Sequence, residues 1–273
     1  MTTVITARLT LALRLVDTTT GREVSENNIS FYQGEDLVHP MKKGPGTYVF
    51  VNMSKEKSLM RICAYGFDDY ELDVKFETLD PRLPMIDVFL MPSEKNHVGG
   101  EVLQITGTLS GLEYLEAIDI NRPIAAFQSV ATKRNVIRMS VLPTTHGGGV
   151  ALDSISYAIL TKDQQRYEVF SVKEQDEANS VVLSSQFQYE HELNDKIYRI
   201  VYGRAGPKGK FVLKVRDDAS TLNYLLHFKA GGVEYIKLVD FHQEAGEYKL
   251  KKGATKMIAL EEKEKEEEVK ENE

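Results

Sequence analysis

With 273 residues, 42% of them hydrophobic, the chain is long for a single β-sandwich, comfortable for two domains, and apolar enough to bury a normal core. Of the formal charge of −7, the stretch Glu261 to Glu273 carries −5 through eight Glu and three Lys, so the body is nearly neutral and has none of the basic excess of a nucleic-acid binder. Cys63 is the only cysteine, which excludes an internal disulfide framework, and its apolar neighbours Ile62 and Ala64 suggest a small buried core residue rather than a reactive thiol.

In chain order, Leu9, Leu11, Leu13 and Leu15 alternate with Arg8, Thr10, Ala12 and Arg14, which is the period of a half-buried strand over Leu9 to Val16. The two arginines also interrupt any leader-like apolar stretch, and no run approaches the ~18 apolar residues of a membrane helix. The expectation is a chain made in the cytoplasm without a signal peptide and without membrane insertion. Asp17 to Arg22 is a turn, with Gly21 able to take positive φ. Ile29 to Gln33 is a short strand. Lys43-Gly44-Pro45-Gly46 is a second turn, leading into a strand over Tyr48 to Asn52. Leu59 to Tyr65 is another strand. Tyr70, Leu72, Val74 and Phe76 alternate with charged residues, giving a strand with one wet face, and Ile86 to Met91 ends at Pro92. Turns at this spacing suit a sandwich.

The runs Leu15-Val16-Asp17-Thr18-Thr19-Thr20-Gly21-Arg22-Glu23-Val24, Gly46-Thr47-Tyr48-Val49-Phe50-Val51-Asn52-Met53 and Tyr65-Gly66-Phe67-Asp68-Asp69-Tyr70 resemble the carboxypeptidase-regulatory-like, or transthyretin-like, β-sandwich modules. The resemblance covers the first third of the chain and implies a fold and no activity. Polar Ser25-Glu26-Asn27-Asn28 stands where such modules carry an apolar partner strand.

Ser93 to Gly100 reads as a linker. Beyond it, strands are expected over Val102 to Leu109, Asn135 to Leu142, Ser154 to Leu160, Tyr167 to Val172, Val181 to Tyr189, Ile197 to Tyr202, Lys210 to Arg216, Leu222 to Phe228 and Val233 to Phe241. Leu112 to Ile118 is open between strand and helical turn, and polar Lys173 to Ala178 reads as loop. The fold class expected is thus all-β. An N-terminal antiparallel, Ig-like or transthyretin-like sandwich (residues 1–95) precedes a larger β region (96–260, one domain or two small subdomains) and an acidic Glu/Lys tail (261–273).

No complete catalytic or metal motif emerges. His191-Glu192-Leu193-Asn194-Asp195 begins like a zinc-protease helix, but has Asp195 where the second His belongs, so a wet loop is expected. Gly203 to Phe211 misses the phosphate-loop spacing by one residue, lacks the magnesium-binding hydroxyl, and reads as a glycine-rich hairpin turn. His146-Gly147-Gly148-Gly149 reads as a long loop, and the pairs Asp68-Asp69 and Asp217-Asp218 as turn residues without a calcium loop. No catalytic residue, cofactor-binding residue, cofactor or metal is therefore expected.

One charged feature stands out. Arg199, Arg204, Lys208, Lys210, Lys214 and Arg216 form a run of six basic residues with no acidic one between them. With Phe211, Leu213 and Val215 inward, Lys210, Lys214 and Arg216 fall on the other face, either as an ordinary solvated face or as a patch for an acidic protein surface or an anionic polymer. A β-sandwich chain without export signal or disulfide fits, by analogy of fold, a non-enzymatic structural component of a phage or phage-tail-like contractile particle, in its baseplate, tail or decoration, released by lysis. Its partners would be other protein subunits of the assembly and not nucleic acid. The alternative expectation is a receptor- or carbohydrate-binding adhesion module, with Tyr65, Tyr70, Tyr189 and Tyr202 stacking on a cell-surface glycan.

Overall fold

The computed structural model describes residues 8–25, 28–93, 102–108, 110–133, 136–143, 152–161, 167–175, 179–216, 223–240 and 255–259. The chain is all-β, as the alternating apolar runs require: the described residues form 23 strands and two single-turn 3-10 helices.

The first third contains β1 (Leu9–Asp17), β2 (Ile29–Gln33), β3 (Asp36–Val38), β4 (Met41–Lys42), β5 (Thr47–Val51), β6 (Leu59–Ala64), β7 (Tyr70–Asp73) and β8 (Met85–Leu90). They make two sheets, β4-β5-β1-β8 and β3-β2-β6-β7. Leu11, Leu13 and Leu15 of β1 and Phe31, Met60 and Ile62 of the other sheet belong to one shared core. The Phe31 ring lies 4.9 Å from Tyr48 and 5.2 Å from Phe50. Each such side chain contributes about 1.5–3 kcal/mol on burial. One pairing departs from the antiparallel expectation, because β8 runs parallel to β1. The chain leaves β7 in the second sheet and crosses through a 3-10 turn at Phe76–Thr78 before it joins β1.

The remainder contains β9 (Val102–Thr108), β10 (Leu112–Asp119), β11 (Ala125–Lys133), β12 (Val136–Pro143), β13 (Tyr157–Leu160), β14 (Tyr167–Phe170) and β15 (Val172–Gln175). They are followed by β16 (Ser180–Leu183), β17 (Lys196–Arg199), β18 (Val201–Tyr202), β19 (Arg204–Ala205) and β20 (Lys210–Arg216). The last are β21 (Asn223–Ala230), β22 (Val233–Asp240) and β23 (Thr255–Ala259).

Two four-stranded sheets, β18-β10-β21-β22 and β19-β20-β9-β23, share a core of Ile105, Leu115, Phe211, Leu213, Leu226 and Phe228 among others. A seven-stranded sheet, β14-β13-β17-β11-β12-β16-β15, curls round its own core, which includes Phe127, Met139, Tyr157, Phe170 and Leu183. Its two outermost strands, β14 and β15, are one stretch of chain bent at Ser171; the first half pairs with β13 and the second with β16.

Several expectations need correcting. Lys173 to Gln175 is strand, not loop, because Val172 packs against the seven-stranded core and the polar residues after it face out. The expected strand Val181 to Tyr189 stops at Leu183, and β11 appears where none was expected. The undecided Leu112 segment is strand, held between β18 and β21. Cys63 is only half-buried, since its neighbours Ile62 and Ala64 take the core face of β6. Its thiol is pushed up by burial and then by Asp69. Of the expected linker Ser93 to Gly100, Ser93 donates its N–H to Gly66 O at 2.8 Å, while 94–100, the His146 glycine loop, Asp217-Asp218 and the acidic tail lie outside the described residues.

Candidate functional site

The turn Asp17 to Arg22 is where the N-terminal sheets meet the rest of the chain. The Asp17 carboxylate accepts from Thr19 N at 2.8 Å, Thr19 Oγ1 at 2.8 Å and Thr20 Oγ1 at 3.0 Å, which folds the turn on itself. Three of its carbonyls are used across the junction. Thr18 O accepts from Tyr202 N at 2.9 Å, Thr20 O from Ser154 Oγ at 2.9 Å, and Gly21 O from Ile155 N at 2.8 Å. Gly21 has φ +66°, and a Cβ there would lie 3.3 Å from the Ser154 side chain, so both backbone conformation and close approach select glycine.

Beside this turn lies a cleft of about 230 Å³, whose lining includes Thr19, Thr20, Arg22, Arg122, Arg199 and Tyr224. Asp153 bridges two of the arginines, at 2.7 Å from Arg22 and 3.1 Å from Arg199. Arg122 Nε lies 3.5 Å from Asp119.

The basic run of the sequence is thus dispersed. Arg199 stands in this cleft. The Arg204 guanidinium covers the Tyr70 ring, 4.8 Å from its centroid. Lys208 (φ 58°) and Lys210 are exposed at the turn before β20, and the Arg216 side chain lies outside the described residues. Lys214 corrects the solvated-rim expectation. It does sit opposite Phe211, Leu213 and Val215, but that face of β20 abuts the N-terminal sheets, and Lys214 is only 3% exposed.

A second, wider cleft of about 630 Å³ opens between β14, the loop after β16, and the β21–β22 hairpin. At its floor the β10–β21 register sets Glu116 opposite His227. Glu116 Oε2 lies 3.2 Å from His227 Nδ1 and accepts from Tyr167 OH at 3.0 Å. Tyr114 OH lies 3.3 Å from His227 Nε2 and donates to Glu234 at 3.2 Å. The order Tyr114–His227–Glu116 has the connectivity of a nucleophile relay, with the phenol also committed to Glu234. Burial, with Glu234, Glu116 and Glu113 nearby, pushes the Tyr114 phenol up to about 12. A phenol so held keeps its proton and serves as a hydrogen-bond donor. Tyr189, 45% exposed, lines the same cleft with Gln186 and Gln188. Of the other aromatics expected to meet a ligand, Tyr65 is exposed, Tyr70 is covered by Arg204, and Tyr202 is buried against Phe89, with ring centroids 4.5 Å apart.

His191 is not on a wet loop. Its ring lies between Asp195 (Nδ1–Oδ2 3.2 Å) and Glu168 (Nε2–Oε2 3.3 Å), with all three side chains buried. Glu168 also accepts from Gln188 N at 2.6 Å, which fastens the loop after β16 to β14. Among the described residues, no group of three or more His, Cys, Asp or Glu is placed to hold a metal ion. No described helix is long and apolar enough to cross a membrane.

Sequence reasoning missed Arg22, Arg122, Glu116 and His227. The one available signal was that Tyr114, Glu116 and Ile118 share a face once Leu112 to Ile118 is read as strand. No protein-family model matches the chain, and no curated protein matches it either.

Proposed function

We propose that the chain is a non-enzymatic structural and protein-interaction component of a phage or phage-tail-like contractile particle, in its baseplate, tail or decoration. The observation that carries the interaction reading is β22. Among the described residues this eight-residue strand is the last of its sheet, with Val233 53%, Ile236 46% and Leu238 52% exposed. Although the strand also carries Glu234, Lys237 and Asp240, exposed aliphatic side chains on an outermost strand are a surface to which another chain adds a strand. The particle reading rests on the analogy of fold drawn from the sequence. It is supported by the junction at Asp17–Arg22, which ties the N-terminal sheets firmly to the others. The test is the double variant Ile236→Lys, Leu238→Lys. Both side chains are exposed, so the dichroism spectrum should be unchanged, while the protein should be lost from the sedimenting fraction of lysed producing cells, read by mass spectrometry. Absence of the unaltered protein from every sedimenting particle would overturn the reading.

A receptor- or carbohydrate-binding adhesion module is the second reading, favoured by the wide cleft. An exposed Tyr189 beside Gln186, Gln188 and Glu234 offers a stacking face and planar polar groups to a sugar. Saturable binding on a glycan array that is lost in Tyr189→Ala would support it, and uniform absence of binding would count against it.

A further inference from the structure

The sheet β19-β20-β9-β23 brings two oppositely charged stretches of the chain close together. Ala259, the last residue of β23, stands opposite Thr108 of β9, and Thr108 stands opposite Lys210 of β20. The chain therefore leaves β23 in the same row of the sheet as Lys210, two strand spacings or roughly 10 Å away. It continues into Glu261 to Glu273, whose eight Glu and three Lys carry −5. Four extended residues span about 13 Å, so the chain can reach Lys210 with Glu264, Glu266, Glu267 and Glu268 still to come.

The surface within this reach is basic and unsatisfied. The β19–β20 register sets Arg204 opposite Val212, which puts Arg204 and Lys210 on one face, with Lys208 at the turn between them. No acidic residue falls between Arg199 and Arg216. Arg204 covers Tyr70, and its Nε and Nη2 are buried with no hydrogen-bond partner among the described residues. Lys208 and Lys210 are exposed and enter no ion pair with a described residue. Lys214, on the same face, is already paired with Asp68 and takes no part. One exposed ion pair is weak by itself, but a short tether holds opposite charges at an effective concentration in the millimolar range.

We propose that Glu261–Glu273 docks on the turn formed by Arg204, Lys208 and Lys210 of its own chain, so that an acidic partner must displace it to reach these cations. The test attaches a nitroxide at position 269 of the full-length protein, through Val269→Cys with Cys63→Ala, and reads amide relaxation by NMR. At low salt the signals of Lys208, Gly209 and Lys210 should broaden more than those of other exposed turns. They should recover in about 1 M salt, where the screening length is about 3 Å. Neutralising Glu266, Glu267 and Glu268 to Gln should abolish the broadening, as should Lys208→Glu with Lys210→Glu, which alters only exposed side chains. Should Cys63→Ala fail to fold, the unlabelled chain decides: the triple Gln change should shift the Lys208 and Lys210 amide resonances, and unchanged resonances would count against docking. Broadening that is equal at all exposed turns, or that survives the charge reversal, would overturn the proposal. So would broadening that arises only when a spin-labelled copy is mixed with an isotope-labelled one, because the turn would then receive the segment of a second copy.

Discussion

Lys214 and Asp68, 146 residues apart, meet through an Nζ–Oδ2 bond of 2.8 Å, and the same ammonium donates to Pro92 O at 2.7 Å. The cation is 3% exposed while Asp68 keeps much of its solvent, so Lys214 has more to lose than its partner. Lys214→Met, which keeps the aliphatic stem, should cost about 1–3 kcal/mol, mainly through the orphaned Pro92 carbonyl. Lys214→Glu sets a buried carboxylate against Asp68 and should cost more than about 3 kcal/mol. Urea denaturation of the two variants checks both figures. A surface-patch experiment on this hairpin should therefore be confined to Lys208 and Lys210.

The fragment of residues 8–93 should fold by itself, since its two sheets enclose their own core. It should melt below the whole chain, because Phe89 loses Tyr202 and the turn carbonyls of Thr18, Thr20 and Gly21 lose their donors. Dichroism with thermal melting tests this; a melting temperature equal to that of the intact protein would show that the junction contributes no stability.

Gly46 and Gly34 separate two reasons for glycine. A Cβ on Gly46 would lie 2.7 Å from Leu15 O and 2.9 Å from Glu23 Cβ, which no rotamer relieves. Gly34 has φ +65° with nothing within 4 Å of the same atom. Gly34→Ala should cost about 1 kcal/mol from backbone conformation alone. Gly46→Ala should cost about 1–3 kcal/mol or more from forced displacement of the neighbouring strand. Equal losses in chemical denaturation would contradict this account.

Stability should fall at alkaline pH. The Tyr114 phenol is raised from 10.0 to about 12 by burial and by the carboxylates round it, and burial also raises Tyr167 and Tyr202. Below pH 10 the phenols are protonated in both the folded and the unfolded chain, and this contribution is fully present. As pH rises from 10 to about 12 the unfolded chain ionises first, and the contribution is lost. Tyr114→Phe should shallow the slope in that window, as followed by denaturant midpoints against pH.

The strands were legible in the sequence wherever one face is buried and the other wet: Ile29–Gln33 and Lys210–Arg216 fall at the expected residues. The pattern failed where burial is two-sided or neighbours dominate. β11 begins with buried Ala125, Ala126 and Phe127 and continues exposed through Lys133, so it shows no period of two. Lys214 obeys the alternation, yet which surface covers its face depends on residues more than a hundred positions away. The arginine cleft was illegible for the same reason. Arg22, Arg122 and Arg199 come from separate segments: the pairing of β11 with β17 sets Arg122 near Arg199, and the docking of the Asp17–Arg22 turn adds Arg22.

The bend at Ser171 makes the seven-stranded sheet a hoop with a clasp. Ser171 Oγ lies 2.9 Å from Ser156 Oγ, and Ser171 O accepts from Ser184 N at 3.0 Å, so the clasp is latched to both neighbouring strands. Among the described residues each half of the bent strand pairs along one edge only, so the hoop is closed by the covalent chain and not by a ladder of hydrogen bonds. A cut at a hairpin turn would loosen one neighbour from another. A cut at Ser171 would separate the two ends of the hoop from each other and leave each half of the bent strand held by a single partner.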